Sequence, residues 1–257
     1  MPENRRIIGL DPDVRLASVL AHALSHHADA AALILMGDLT HYGNKSSYTK
    51  LQTALADCPV PVIPMLGNHD NRETFQSVFP DAPRTASGHV QHIMDLAHHR
   101  IITLDSLDGP PYPQGHHSGR LCADRLDWLD DALAGSDGRM PLVFVHHPPM
   151  DTGIVGMDQI KLVHGDDLLV RLKSHKAHLF FGHLHRNFAG SHDGVPWTTF
   201  KSPCHQGPLD LADPDSSLSI DEPAGYGVIL LPPKAVIAHM QDVGLDAMVH
   251  QDTGSHT

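Results

Sequence analysis

An α/β fold with a largely parallel sheet is what this 257-residue chain predicts. Three observations carry that expectation. Apolar, β-branched-rich runs alternate with helix-like segments, the alternation that builds a parallel sheet covered by helices. Four of the runs stop abruptly in a polar cluster. Ala32–Met36 ends in Gly37-Asp38, Val60–Leu66 in Gly67-Asn68-His69-Asp70, Pro141–Val145 in His146-His147-Pro148-Pro149, and His178–Phe181 in Gly182-His183-Leu184-His185. Polar clusters at the carboxyl ends of strands are where open α/β sheets place their ligand sites. The later runs are short and follow one another as hairpins do, which asks for a second sheet.

The elements follow in order. A helix over 13–27 opens on Asp11-Pro12-Asp13, which reads as its N-cap. Strand 32–37 comes next, then helix 46–56, strand 60–66 and helix 71–78, for which Asn68-His69-Asp70 could supply a capping turn through Asp70. Strands 89–95 and 100–105 precede helix 122–135, strand 141–146, a long helix 158–175 and strand 178–182. Strands 187–191, 195–200, 226–231 and 235–240 complete the chain. Gly, Pro and Asp punctuate the two longest loops, 105–118 and 202–224, and loops of that length are usually functional or mobile. There is no internal repeat or linker, so residues 1–245 read as one domain and 246–257 as a flexible tail.

Composition narrows the function. The formal net charge of −12, without a basic stripe, argues against a nucleic-acid polymer as partner. A small phosphodiester remains compatible with it where metal ions supply local positive charge. No apolar run is long enough to span a bilayer. Pro2-Glu3-Asn4-Arg5-Arg6 leads into a short apolar run and then charge, unlike a signal peptide. Cys58, Cys122 and Cys204 have no metal-type spacing and suggest a reducing, cytoplasmic setting. Of the 23 histidines, His26, His27, His92, His98, His99 and His116 fall in surface-like or turn contexts.

The strand-end clusters offer carboxylate and imidazole together, a donor set suited to Zn, Fe, Mn or Co. Each residue also has a plainer reading. Asp38 could cap a helix, although helix 46–56 starts late for that. His146 and His147 are adjacent and point opposite ways in an extended chain, so one of them would reach a common site. His183 and His185 share a face if their segment stays extended. Cys204-His205 lies in a long loop within reach of a substrate, though a solvated histidine is the simpler reading, and Arg186 could contact phosphate or be a surface charge.

The succession GD…GNHD…HHPP…GHxH resembles the calcineurin-like metallophosphoesterases, within them most the class III cyclic-nucleotide phosphodiesterase and glycerophosphodiesterase branch. Asp11-Pro12-Asp13-Val14-Arg15-Leu16, Asp105-Ser106-Leu107, Gly119-Arg120-Leu121, Trp128-Leu129, Met157-Asp158 and His185-Arg186 extend the likeness over roughly residues 7–240. The resemblance implies a four-layer αββα sandwich and two divalent metals (Fe, Mn, Zn or Co). It assigns Asp38, Asn68, His146 and His183 to one metal. Asp38, as the bridge, and His185 go to the other, with an Asp-x-His pair that this sequence does not contain. The chain therefore reads as starting after the family's first strand, with Met1 a mis-assigned start, a truncation or a true variant. By the same resemblance His69 is catalytic, facing the phosphate and stabilising or protonating the departing oxygen; Asn68, His69 and, from its place in the long loop, His205 are the expected substrate-binding residues.

The implied function is hydrolysis of a small phosphodiester, such as a 3′,5′-cyclic nucleotide or a glycerophosphodiester, by a metal-activated hydroxide. Relatives often self-associate, so a homo-oligomer fits. The alternative is a metal-binding pseudo-enzyme, because half of one site is missing. A protein phosphatase is disfavoured: that branch carries Asp-Arg-Gly after its second aspartate, whereas Leu39-Thr40-His41-Tyr42-Gly43 follows Asp38 here.

Overall fold

The computed structural model describes residues 6–112 and 117–245. Helix α1 (Pro12–His26) starts where Asp11 accepts from the backbone N–H groups of Asp13 and Val14, at 3.1 and 3.3 Å. Pro12 sits in the first turn, where its missing N–H costs nothing. β1 (Leu33–Met36), α2 (Lys45–Ala54), β2 (Val62–Met65) and α3 (Arg72–Val78) form one parallel βαβ unit and its following helix. β3 (His92–Asp95), β4 (His99–Leu104), β5 (Gly119–Arg120), α4 (Ala123–Ala134) and β6 (Met140–Val145) come next. Then follow α5 (Val155–Asp158), β7 (Leu162–Val163), α6 (Asp166–Ser174) and β8 (His178–Phe181). The hairpins β9 (Phe188–His192)–β10 (Val195–Thr199) and β11 (Ala224–Leu230)–β12 (Ile237–Val243) close the chain.

The central sheet has the order β3-β4-β6-β8-β10-β9. β4, β6, β8 and β10 run parallel, with antiparallel strands at both edges. Its residues alternate between two apolar layers, because successive side chains point to opposite faces. Ile102, Leu104, Val143, Val145, Leu179 and Phe181 face α4 and α6, whose Leu129, Leu133, Leu168 and Leu172 complete that layer. Ile101, Leu142, Phe144 and Phe180 face the other way, onto Ile63 and Met65 and half-buried residues of β1, β11 and β12. The β1–β2 and β11–β12 ribbons thus form a second β layer, and α1 covers the latter through Val19, Ala224 and Val243. The order helix, sheet, ribbon, helix is the four-layer α/β arrangement the resemblance implied.

Four expectations need correction. The long helix 158–175 is instead α5, β7 and α6. Leu162 N–H donates to Pro148 O at 2.9 Å, which draws that segment alongside the chain after β6. Gly165 then lies so close to Pro149 that a Cβ there would meet its carbonyl oxygen at 1.9 Å. Asp70 does not cap α3; Asn71 does, accepting from Thr74 N–H at 2.8 Å. His99 is not at the surface: it is buried on β4 with Nε2 bonded to Ala235 O at 3.2 Å. β5 and β7 were absent from the sequence expectation, being too short for any period to register. Expectations for Pro2–Arg5, His116 and 246–257 lie outside the described residues.

One buried ion pair holds the long loop after β4. Arg72 on α3 grips Asp105 in a fork, Nε to Oδ2 at 2.7 Å and Nη2 to Oδ1 at 2.9 Å, and donates to Leu107 O and Gly109 O. Asp105 also accepts from Val90 and Leu107 N–H, so every oxygen is occupied. Removing one partner of such a pair leaves an uncompensated buried charge. Arg72→Met should therefore cost about 3–5 kcal/mol in urea unfolding, while loss of the exposed Lys173–Asp193 contact leaves the midpoint where it was.

Candidate metal centre

The site forms where four strands end. β1 stops at Met36, and Gly37 (φ +91°) turns the chain so that Asp38 follows in the left-handed region at φ +52°. No side chain fits at the adjoining turns: a Cβ on Gly37 would lie 2.4 Å from His146 Nδ1, and one on Gly67 2.3 Å from Asp38 Oδ1. His183 and His185 also have positive φ, +67° and +49°, and Leu184 N–H donates to Gly182 O at 2.7 Å. The two histidines therefore leave β8 in a tight turn, not on an extended face as the sequence suggested.

Asp38, His146 and His183 come together, and Asn68 stands in the turn beside them, next to His69, whose backbone N–H meets Asp38 Oδ1. His146 Nδ1–H donates to Met36 O at 2.8 Å, which leaves Nε2 to face Asp38 Oδ2 at 3.2 Å. Asn68 Oδ1, His146 Nε2 and His183 Nε2 are all buried without a hydrogen-bond partner. Buried polar atoms are normally satisfied. Three unsatisfied polar atoms at a site that also holds the half-buried Asp38 carboxylate lack a partner, and a divalent cation is the group that such a donor set fits.

The titration behaviour agrees. Burial alone would raise the Asp38 carboxyl, yet the facing His146 draws it well below its ordinary value. Burial opposes charge on His146, but Asp38 outweighs it and pushes that imidazole up. Burial, with His146 nearby, lowers His183 well below its usual range, so it stays neutral with its lone pair available. His185 drops to about 4, by burial and by the neighbouring His205. His185 Nδ1 donates to His205 O at 3.1 Å, freeing Nε2 as a ligand atom.

His147 is drawn into the same cluster, and the ligand-capable nitrogens of His146, His147 and His183 lie within 4.8 Å of one another. Both nitrogens of His147 are already engaged, Nδ1 with Ser106 Oγ at 2.7 Å and Nε2 with His117 O at 3.1 Å. Of the adjacent pair, His146 is thus the one with an unused nitrogen.

His69 lies beside Asp38. Its backbone N–H donates to Asp38 Oδ1 at 2.9 Å, and its ring Nδ1 to His41 O at 3.1 Å. The ring stacks on His41 at 4.9 Å and tilts against His117 at 5.6 Å. His205 packs edge-on against His185 at 4.7 Å, so the 202–224 loop does reach the centre. Asp70 braces the frame: it accepts from Gly67 and Leu39 N–H and from Tyr48 O–H, joining the two loops that carry Asp38 and Asn68. Arg186 donates to Gly207 O and approaches Glu222 at 3.9 Å. His41, His117 and the bracing role of Asp70 were not read from the sequence. His117 lies in a long loop with no local pattern, and only its tertiary contacts reveal it.

Comparison with known proteins fits this geometry. The family model described as calcineurin-like phosphoesterase matches residues 13–187. A probable cyclic nucleotide phosphodiesterase of Rhodopseudomonas palustris is 38% identical over 91% of this chain and 86% of that protein. A probable glycerophosphodiester phosphodiesterase of Arcobacter nitrofigilis is 34% identical over 74% of this chain and 70% of that protein. A dimetal phosphatase structure from Danio rerio shares the fold at a TM-score of 0.58 and 16% identity, over 76% of this chain and 83% of that one.

Asn68→Ala and His146→Ala each remove one of the converging acceptors. Either change should abolish tight uptake of one divalent cation, measured by calorimetric titration with Mn²⁺ or Zn²⁺, while circular dichroism stays that of the parent. A variant with parental uptake would exclude that residue as a ligand.

Proposed function

The chain belongs to the calcineurin-like phosphoesterase family, and from that premise we propose that it hydrolyses a small phosphodiester, a 3′,5′-cyclic nucleotide or a glycerophosphodiester, with the help of two divalent cations. What supports the reading most is Asp38 facing His146 Nε2 at 3.2 Å, with Asn68 Oδ1 and His183 Nε2 buried and unpartnered at the neighbouring strand ends. Those four would hold one cation, and Asp38 with His185 would contribute to the second, for which Fe, Mn, Zn and Co are all suitable. When bound, the cations neutralise the phosphoryl oxygens and acidify the attacking water.

The remaining work falls to the chain's own groups. Asp38 is held for its part by the His69 backbone N–H, which fixes Oδ1 and leaves Oδ2 towards His146. With His69 Nδ1 occupied by His41 O, Nε2 is the atom left to deliver a proton to the departing oxygen. An alkoxide from ribose or glycerol needs that proton; a nitrophenolate does not. His205, whose ring packs against His185, would touch the substrate on this reading. A cytoplasmic setting belongs to the same proposal and rests on three cysteines that form no disulfide. No described helix is long and apolar enough to cross a membrane.

The division of labour is tested with His69→Ala. Turnover of a cyclic nucleotide or alkyl diester should fall by about 10²–10⁴, the usual worth of general acid catalysis. Turnover of bis(p-nitrophenyl) phosphate should fall much less, with metal content unchanged. Equal losses on both substrates would make His69 a stabiliser of phosphoryl charge, and loss of metal would make it a ligand. Failure of the metal-loaded parent to cleave cyclic nucleotides, glycerophosphodiesters and aryl diesters alike would overturn the activity itself.

A further inference from the structure

We propose that His117 is a positioning residue that fixes which end of the Asn68 amide is turned into the metal centre. The inference rests on the reading of Asn68 Oδ1 as a metal ligand. An amide's oxygen and nitrogen ends are nearly the same shape, so sterics hardly choose between the two orientations. Electrostatics in the site as it stands chooses the wrong one. The Asp38 carboxylate accepts there, with His146 Nε2 facing it and His183 Nε2 unpartnered, and an NH₂ group turned inward would suit that carboxylate better than an oxygen. Cation binding would then have to begin by flipping the amide.

His117 supplies the counterweight. Asn68 Nδ2 lies 3.0 Å from His117 Nδ1, so the NH₂ donates outward to the imidazole, and Oδ1 is left buried with no partner on the other side. Only an acceptor at that spot can do this, because Nδ2 is a pure donor. His117 is itself anchored. Its backbone oxygen accepts from His147 Nε2 at 3.1 Å, His147 Nδ1 meets Ser106 Oγ at 2.7 Å, and the His117 ring lies against His69. A relay of fixed donors and acceptors therefore runs from Ser106 through His147 and His117 to Asn68. Outer partners of this kind orient ligands and are commonly worth about 10–100-fold in metal affinity or activity.

The test compares two substitutions of nearly equal shape. The Oδ1 of an asparagine can stand where the imidazole Nδ1 stands, whereas leucine offers no acceptor. In calorimetric titration of the full chain with Mn²⁺, His117→Leu should bind about 10–100-fold more weakly than the parent. His117→Asn should recover most of that loss. Melting temperature without metal separates the effect from damage to the fold, and should be alike in the two variants because both lose the same ring. Asn68→Ala is the reference for the ligand reading. Weak binding by Asn68→Ala together with parental binding by His117→Leu would overturn the role of His117 alone. Equal weakening in His117→Leu and His117→Asn would do the same, since shape and not the acceptor would then matter. Parental binding by Asn68→Ala would overturn the ligand reading and this inference with it. Should His117→Leu fail to fold, His117→Asn still decides, because a tenfold loss at unchanged melting temperature contradicts the acceptor role.

Discussion

Two acceptors facing each other across 3.2 Å, Asp38 Oδ2 and His146 Nε2, are the constraint around which the rest of this molecule is arranged. Neither can be satisfied by the other unless a positive charge lies between them, and His146 is buried, where an unmet polar atom is costly. The backbone is bent to bring them together. Asp38, His183 and His185 all occupy the left-handed region, which non-glycine residues visit rarely and which clusters at functional sites. Gly37 and Gly67 give up their side chains so that His146 and Asp38 can approach. Folding around a cluster of acceptors costs stability, and the binding energy of a cation would offset that cost.

The frame that resists this strain is largely polar as well. Asp70 ties the loops of Asp38 and Asn68 through three donors, and Arg72 clamps Asp105 at the root of the loop that carries His117. Burial, with Asp38 close by, raises the Asp70 carboxyl to about 7, although its three donors pull the other way. Neutralising Asp38 would relieve Asp70 too, so the two carboxylates are coupled through the charge that the centre receives. A folded pKa raised in this way favours the folded state most below the ordinary carboxylate range. That advantage is lost as pH climbs towards 7.

How much of this was legible in the sequence follows from how local each signal is. Asp38, Asn68, His146, His183 and His185 stand directly after apolar strands, so their placement at one sheet edge could be read from a few neighbouring residues. The helix over 158–175 could not. Its apolar spacing is helical, but the contact of Leu162 with Pro148 and the close approach of Gly165 to Pro149 decide the backbone there, and both partners lie far from the pattern that was read. His99 looked like a turn residue because nothing nearby announces Ala235, which lies 136 positions away and covers it. His117 was invisible for the same reason. Its partners, Asn68 and His147, are 49 and 30 residues distant.

The same distinction bears on how the site meets its substrate. What converges at the centre is a carboxylate, an amide oxygen and imidazole nitrogens, none with a permanent positive charge, in a chain of net charge −12. Left to themselves these groups repel an anionic diester. Arg186, the cation next to His185 in sequence, is turned to Gly207 O and Glu222. Attraction for a phosphate would therefore come from divalent cations held at the centre. A site built in this way separates affinity from shape. The strand ends hold the acceptors, while the long loops bring His117 against Asn68 and His205 against His185. On the proposed function, variation in those loops would change the diester accepted without disturbing the acceptors beneath, because the acceptors belong to the strand ends and the loops only meet them through single side chains.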